Sequence, residues 1–485
     1  MRQVFGSIGV ALGSVVLFAW GAAMQAQRPG ASARSAKPQA AAVSPTMAPA
    51  DTQRLQAALA EYNAGNLRAA EPVLKDLAGR YPRHAETQAA AGMTLAELGS
   101  IAEALTYLQR AHTLAPHDTA VALNLAVAQM KTGHSKDALA VLQAAARQQP
   151  EEGSVYAALA QAQFDTGDAE AATVSFARAD ALLRAQGEPI DAGLHYDWAV
   201  ALLRAGKAPL ATSTLLSVPN ANASAAIQEL LGEAEEKNSH FQEALQHFKR
   251  AAELEGSEPN LYAYGNELLQ HWTFSPAIEI FKFAISRFPA SERLHMALGI
   301  AYYGNGTYDE AANVFQALLS TQPDNATAAD LLGRSCSALS GEPRPGCASL
   351  QQFALAHPEN APASLFAAIM ILHQPTEQQD TAEAGTLLQN ALKKDPKLAD
   401  AWYQLGALQQ SQNQWDESTQ SLQRAIAVRP GYPEAHYRLA RAYSHLGKRE
   451  EAKQEILLQQ KFAAEAKTTE NERMHEVMKF LTTSN

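Results

Sequence analysis

Cysteine is scarce in this 485-residue chain: there are two, Cys336 and Cys347, and no C-x-x-C or C-x-x-C-H. That removes zinc-ribbon, thioredoxin-like and c-type haem readings together. Aromatic residues make up only 7%, and 39 Lys and Arg stand against 50 Asp and Glu, a net charge of −11. An acidic balance argues against a nucleic-acid partner, which wants a basic stripe over the phosphates. The usual catalytic signatures are also missing: no P-loop, no G-x-G-x-x-G after a strand, no G-x-S-x-G and no H-E-x-x-H. His475-Glu476 lacks the second histidine at i+4, and His240 and His247 read as a solvated or half-packed pair. No run of alternating strands and helices could host a catalytic domain. No catalytic, cofactor-binding or metal-binding residue is therefore expected.

What the chain does contain is a period. Gly65, Gly99, Gly133 and Gly167 recur every 34 residues, with Ala70, Ala104, Ala138 and Ala172 in step and Pro82, Pro116 and Pro150 closing the intervals. The stretch from Ala399 to Pro430 shows the unit most clearly. Trp402, Leu405, Gly406 and Gln409 fall on one helical face, Trp415, Ser418, Leu422 and Ala425 on another, and Pro430 stops the second helix. Neither helix buries its face alone, so each unit needs neighbours. The 34-residue period, the W-x-x-L-G at Trp402 to Gly406, the small residue opening the second helix and the closing proline resemble the tetratricopeptide repeat. The resemblance implies an all-α fold: a right-handed α-α superhelical solenoid of about twelve repeats with a C-terminal capping helix.

Residues 1–26 read as a secretory signal peptide, with Arg2 before an apolar run and small residues Gly21, Ala22 and Ala23 at its end. The alternative is an N-terminal anchor, because the run from Val4 to Met24 is long enough to span a bilayer. Residues 27–50, rich in Ala, Pro and Ser, read as a flexible linker. The most regular repeats, one to four, are expected over 51–187, repeats five to nine over 188–357 with an irregular stretch at 340–349, and repeats ten to twelve over 358–466. A capping helix is expected over 467–485, from the capping-box spacing of Thr469 and Glu472 and a stripe at Met474, Val477, Met478 and Leu481. Cys336 and Cys347 fall in one irregular repeat, where they are either a disulfide in an oxidising compartment or two small thiols in a core.

The resemblance also implies where binding would occur, because first helices of such repeats line a concave groove. Carried over position by position, that groove presents Tyr196, Leu203, Tyr262, Asn266, Met296, Tyr303, Asp330, Arg334, Tyr403, Tyr437 and Arg441. Tyr and Arg supply much of the energy at interfaces. Glu229, Glu233 and Glu236 would form an acidic turn of the wall. The clamp by which some members hold a chaperone's C-terminal carboxylate is not expected: Asn124 is in place, but Ala89, Met93, Ser154 and Ala158 stand where it needs other residues. The expected function is a non-enzymatic scaffold, periplasmic or secreted, that binds a protein or peptide without any cofactor and touches a membrane only through an uncleaved N-terminus. The alternatives are an inner-membrane-anchored adaptor on the cytoplasmic side in envelope biogenesis and, last, an enzyme with an unrecognised site.

Overall fold

The computed structural model describes residues 47–338, 347, 350–373 and 380–482. Among these there is no strand. The chain divides into two compact blocks, 1–221 and 222–485. The first contains α1 (Pro49–Asn63), α2 (Leu67–Arg80), α3 (Ala85–Glu97), α4 (Ile101–Leu114), α5 (Thr119–Lys131), α6 (Ser135–Gln148), α7 (Gly153–Asp165), α8 (Ala169–Ala185), α9 (Ala192–Arg204) and α10 (Ala208–Leu216). The second contains α11 (Ala225–Lys237), α12 (Phe241–Leu254), α13 (Glu258–Gln270), α14 (Phe274–Arg287), α15 (Glu292–Gly304), α16 (Tyr308–Thr321), α17 (Ala326–Ala338), α18 (Leu350–Ala356), α19 (Ala361–Leu372), α20 (Thr381–Lys394), α21 (Ala399–Ser411), α22 (Trp415–Val428), α23 (Pro433–His445) and α24 (Arg449–Thr482). Odd-numbered helices open a repeat and even-numbered ones close it. Within each block every first helix touches the first helix of the next repeat, so first helices form one continuous wall.

The local sequence explains both ends of these helices. Asp118, Asp168, Asp191, Ser291, Asn360 and Asp380 each accept a hydrogen bond from the backbone N–H three residues on, capping α5, α8, α9, α15, α19 and α20. The chain then reverses between first and second helix through one residue at positive φ. Gly65, Gly99, Gly133, Gly167 and Gly206 hold that place in the first block, with φ from +72 to +91°. In the second block Ser239, Trp272 and Asn413 take it at φ 64, 61 and 61°. A side chain is strained there, most of all a bulky one.

One pairing runs through both blocks. A small residue on the first helix faces a large one sixteen places later on the second: Gly92 with Leu108, Gly265 with Phe281, Gly299 with Phe315, Gly406 with Leu422. A Cβ added at Gly265 would sit 2.6 Å from Phe281 Cε1, and one at Gly406 would sit 2.7 Å from Leu422 Cγ. Leu74, Leu108, Leu142, Phe281, Phe315 and Leu422 are fully buried, each four residues after a buried small residue of its own helix. In the eleventh repeat that residue is Ser418, whose hydroxyl is satisfied by the Gly406 carbonyl at 2.9 Å.

Four sequence expectations need correction or completion. Gly206 follows Gly167 by 39 residues rather than 34, an excess that the sequence places in a loop at Gly187 and Pro189, but α8 takes up part of it by running for 17 residues before the chain turns. The expected boundary before a separate capping helix at 467 is absent: α24 is continuous over 34 residues. The thiols of Cys336 on α17 and Cys347 are bonded to each other, closing a loop of sequence separation 11. Leu203, read as a groove residue, is buried. The signal-or-anchor run and the stretch 27–46 lie outside the described residues, as does most of 340–349. No helix among the described residues is long and apolar enough to cross a membrane.

Candidate partner-binding groove

The wall of first helices carries the residues assigned to a groove, and the structure separates them into different roles. Tyr196 lies half-buried on α9 of the first block. In the second block, Asn266 is half-buried on α13 and Met296 packs partly buried against the core below α15. Tyr262 lies 6.3 Å from Phe281 and beneath the Arg293 guanidinium, 4.3 Å from its ring centroid. Tyr303 meets Tyr308 edge-on at 5.5 Å. These aromatic rings are engaged by their neighbours along one edge.

Tyr403, Tyr437 and Arg441 are brought together. They line one cavity of about 640 Å³, with Glu434 and Arg438 of α23 and Lys467 of α24 on its sides. Tyr437 is 50% exposed. Glu434, Tyr437, Arg438 and Arg441 lie at i, i+3, i+4 and i+7 of α23, a single stripe. Three cations therefore face one carboxylate in this cavity.

Beneath it runs a charge network built on Asp400, at the start of α21. Arg429, at the end of α22, meets the Asp400 carboxylate with Nη1 at 3.0 Å and Nη2 at 2.8 Å, and the Tyr432 hydroxyl donates to it at 2.8 Å. Tyr432 lies 5.1 Å from Tyr403, ring to ring, and the Tyr403 hydroxyl accepts from Arg438 Nε at 3.0 Å. Arg334 belongs to this network too, 2.7 Å from Asp330 and 3.6 Å from Asp400. Burial alone would raise the Asp400 pKa, but the Arg429, Tyr432 and Arg334 partners outweigh it and hold the carboxyl below its ordinary range. The same device recurs in the first repeat, where Arg80 and Tyr81 hold Asp51 at 2.6 and 2.8 Å. Arg334 and Tyr403 thus have structural partners, whereas Tyr437 and Arg441 face the cavity.

The acidic turn on α11 also divides. Burial pushes the carboxyls of Glu229 and Glu233 above their usual range. Glu236 instead points to His271, the residue that follows α13, with Oε2 at 3.3 Å from Nε2. Glu267, one turn earlier on α13, places Oε1 at 3.4 Å from the same nitrogen. Burial pushes the Glu267 carboxyl up. Burial would lower His271, but the two carboxylates outweigh it and favour the charged imidazole.

Sequence reasoning missed two features. The stripe on α23 was legible as a helical period, yet Glu434 and Arg438 were passed over. The Glu236, Glu267 and His271 cluster joins residues 31 and 35 apart on adjacent helices and matches no motif.

These features define a helical-repeat scaffold whose first helices form an open wall. A family model described as tetratricopeptide repeat matches residues 95–163, 273–334 and 376–427, a second so described matches 55–119, and a TPR repeat model matches 410–447. The chain belongs to the tetratricopeptide-repeat family, whose domains generally mediate protein–protein interaction. No curated protein matches it. Among solved structures it is similar to one of Naa15/Naa10 bound to HypK-THB, at 13% identity and TM-score 0.34, over 84% of this chain and 68% of that one. It is also similar to the APC/C hetero-tetramer Cut9-Hcn1, at 12% identity and TM-score 0.35, over 85% of this chain and 94% of that one. MamA is similar at 22% identity and TM-score 0.28, over 36% of this chain and 93% of that one.

Proposed function

We propose that this chain is a non-enzymatic scaffold, exported to the cell envelope or the secreted space, that holds an extended segment of a partner protein along its wall of first helices. The observation that carries the reading is the cavity at α21, α23 and α24, where the half-exposed Tyr437 stands beside Arg438, Arg441 and Lys467. A large ring with a polar end offers contact area at small entropic cost, and clustered cations select an acidic segment. A partner with an acidic stretch carrying an aromatic or aliphatic anchor suits that end of the wall. The bond between Cys336 and Cys347 and the apolar run before Met24 support export, since disulfides persist in oxidising compartments.

A photo-crosslinking residue in place of Tyr437, in cells, tests this together with Arg441→Glu. The expected result is one dominant crosslinked partner, lost on charge reversal while helicity and melting are unchanged. Crosslinks that persist undiminished in the Arg441→Glu background would remove the groove from consideration. Tyr403→Ala is the contrasting control: it is expected to lower the melting temperature, because Tyr432 and Arg438 lean on that ring. The mature N-terminus, read by mass spectrometry, tests export separately, and an intact Met1 in the membrane fraction would overturn it.

A further inference from the structure

Glu267 is a deeply buried carboxylate of the second block. Its side chain is 1% exposed, yet Oε1 makes no hydrogen bond to any described residue. A carboxylate oxygen buried without a hydrogen bond costs free energy comparable to a lost hydrogen bond or more. His271 Nε2, 3.4 Å away, pairs with it in charge but not in hydrogen-bond geometry. Glu236 Oε2 approaches the same nitrogen at 3.3 Å. Ligand atoms from these three side chains all lie within 4.8 Å of one another.

Those separations are long for a charge-assisted pair, which closes to about 2.7–2.9 Å. The two distances to His271 Nε2 match a different geometry. With zinc–nitrogen and zinc–oxygen bonds of about 2.0–2.1 Å, two ligands at a tetrahedral angle stand about 3.3–3.4 Å apart. We propose that Glu236, Glu267 and His271 form a binding site for a divalent transition-metal ion of the zinc class, with one imidazole nitrogen, two carboxylate oxygens and one further position.

The surroundings fit a cation. His271 follows Glu267 at i+4, just past the end of α13, so the two side chains lie one above the other on the same side. Glu236 is the penultimate residue of α11 and His271 directly follows α13, so the negative ends of two helix dipoles converge there. The Phe241 ring, 4.4 Å from that of His271, covers one side of the imidazole. An ion held this way would fasten α11 to α13, two first helices of successive repeats.

The test uses the untagged full chain, stripped with chelator and titrated with Co²⁺. The expected result is one equivalent bound with the visible bands of a four-coordinate ion, displaced by Zn²⁺, and weakened at least about tenfold by either Glu267→Gln or Glu236→Gln. X-ray absorption of the zinc-loaded wild type should count a single imidazole among light-atom ligands. No binding by the wild type, binding unaltered in both variants, or more than one imidazole per ion would each overturn the proposal. Far-UV dichroism of both variants checks folding. If Glu267→Gln unfolds, the more exposed Glu236→Gln and the wild-type absorption spectrum still decide.

Discussion

The two blocks solve the same packing problem with different side chains. In the first, a small Ala126 or Gly92 faces Leu142 or Leu108. In the second, Gly232, Gly265 and Gly299 face Phe248, Phe281 and Phe315, and a Cβ on Gly299 would fall 2.5 Å from the Phe315 ring. In those three repeats the volume missing from one helix is returned by a ring on the other, so helix spacing is preserved, whereas Gly406 meets Leu422 in the second block just as Gly92 meets Leu108 in the first. The second block also bears the disulfide, the positive-φ Ser239, Trp272 and Asn413, and most of the charged groups on the wall. Glycine thus serves every such turn of the first region, while the second tolerates local strain at several of its turns.

The sharpest way to break this comparison is at its facing pairs. Phe315→Ala is expected to cost about 3–5 kcal/mol through lost transfer energy and the cavity left behind. Gly299→Ala should cost about 1–3 kcal/mol by overpacking, and Phe315→Leu in that background should recover part of the loss, because it recreates the Ala126 and Leu142 pairing. Hydrogen exchange would locate the damage: protection should fall within 222–485 and hold in 47–221. Additive losses in the double variant would refute the volume exchange. Next comes the covalent tie. Cys336→Ser, which opens a loop of sequence separation 11, is expected to cost about 3 kcal/mol, measured by urea melts of the wild type and variant under oxidising conditions, with no difference under reducing ones.

The smallest effect concerns pH. The folded-state pKa of Asp400 lies below its unfolded value, so its contribution is fully present above the unfolded pKa and is lost as pH falls through the folded one. Asp400→Asn should cost about 1–2 kcal/mol near neutral pH and flatten the acid limb of stability, read from melts between neutral and acidic pH. A variant whose acid limb matched the wild type would show that Asp400 contributes nothing to it.

Much of the fold was legible because it rests on residues whose role is geometric. Gly65, Gly99 and their successors announce the turn, and Ala70, Ala104 and their successors announce the close approach of two helices. The site was less legible because its geometry is set between repeats. Tyr403 occupies the register of a groove residue, but its ring and hydroxyl are engaged by Tyr432 and Arg438, from 29 and 35 residues away. Arg334 is drawn to Asp400, two repeats on, by charge that no single-repeat pattern records. Lys467 reached the cavity because α24 runs past Ala466 without a break, against the capping-box signal of Thr469 and Glu472.

The clamps at Asp51 and Asp400 each join the first turn of an opening helix to an arginine 29 residues later, within the same repeat. The facing pair at sixteen residues is likewise internal. A repeat of this kind is partly portable: copied elsewhere along the gene, it brings these closing contacts with it and depends on a new neighbour for the rest of its packing. Duplication could therefore lengthen such an array without simultaneous change on both sides of each junction, leaving the wall of first helices free to acquire different partners.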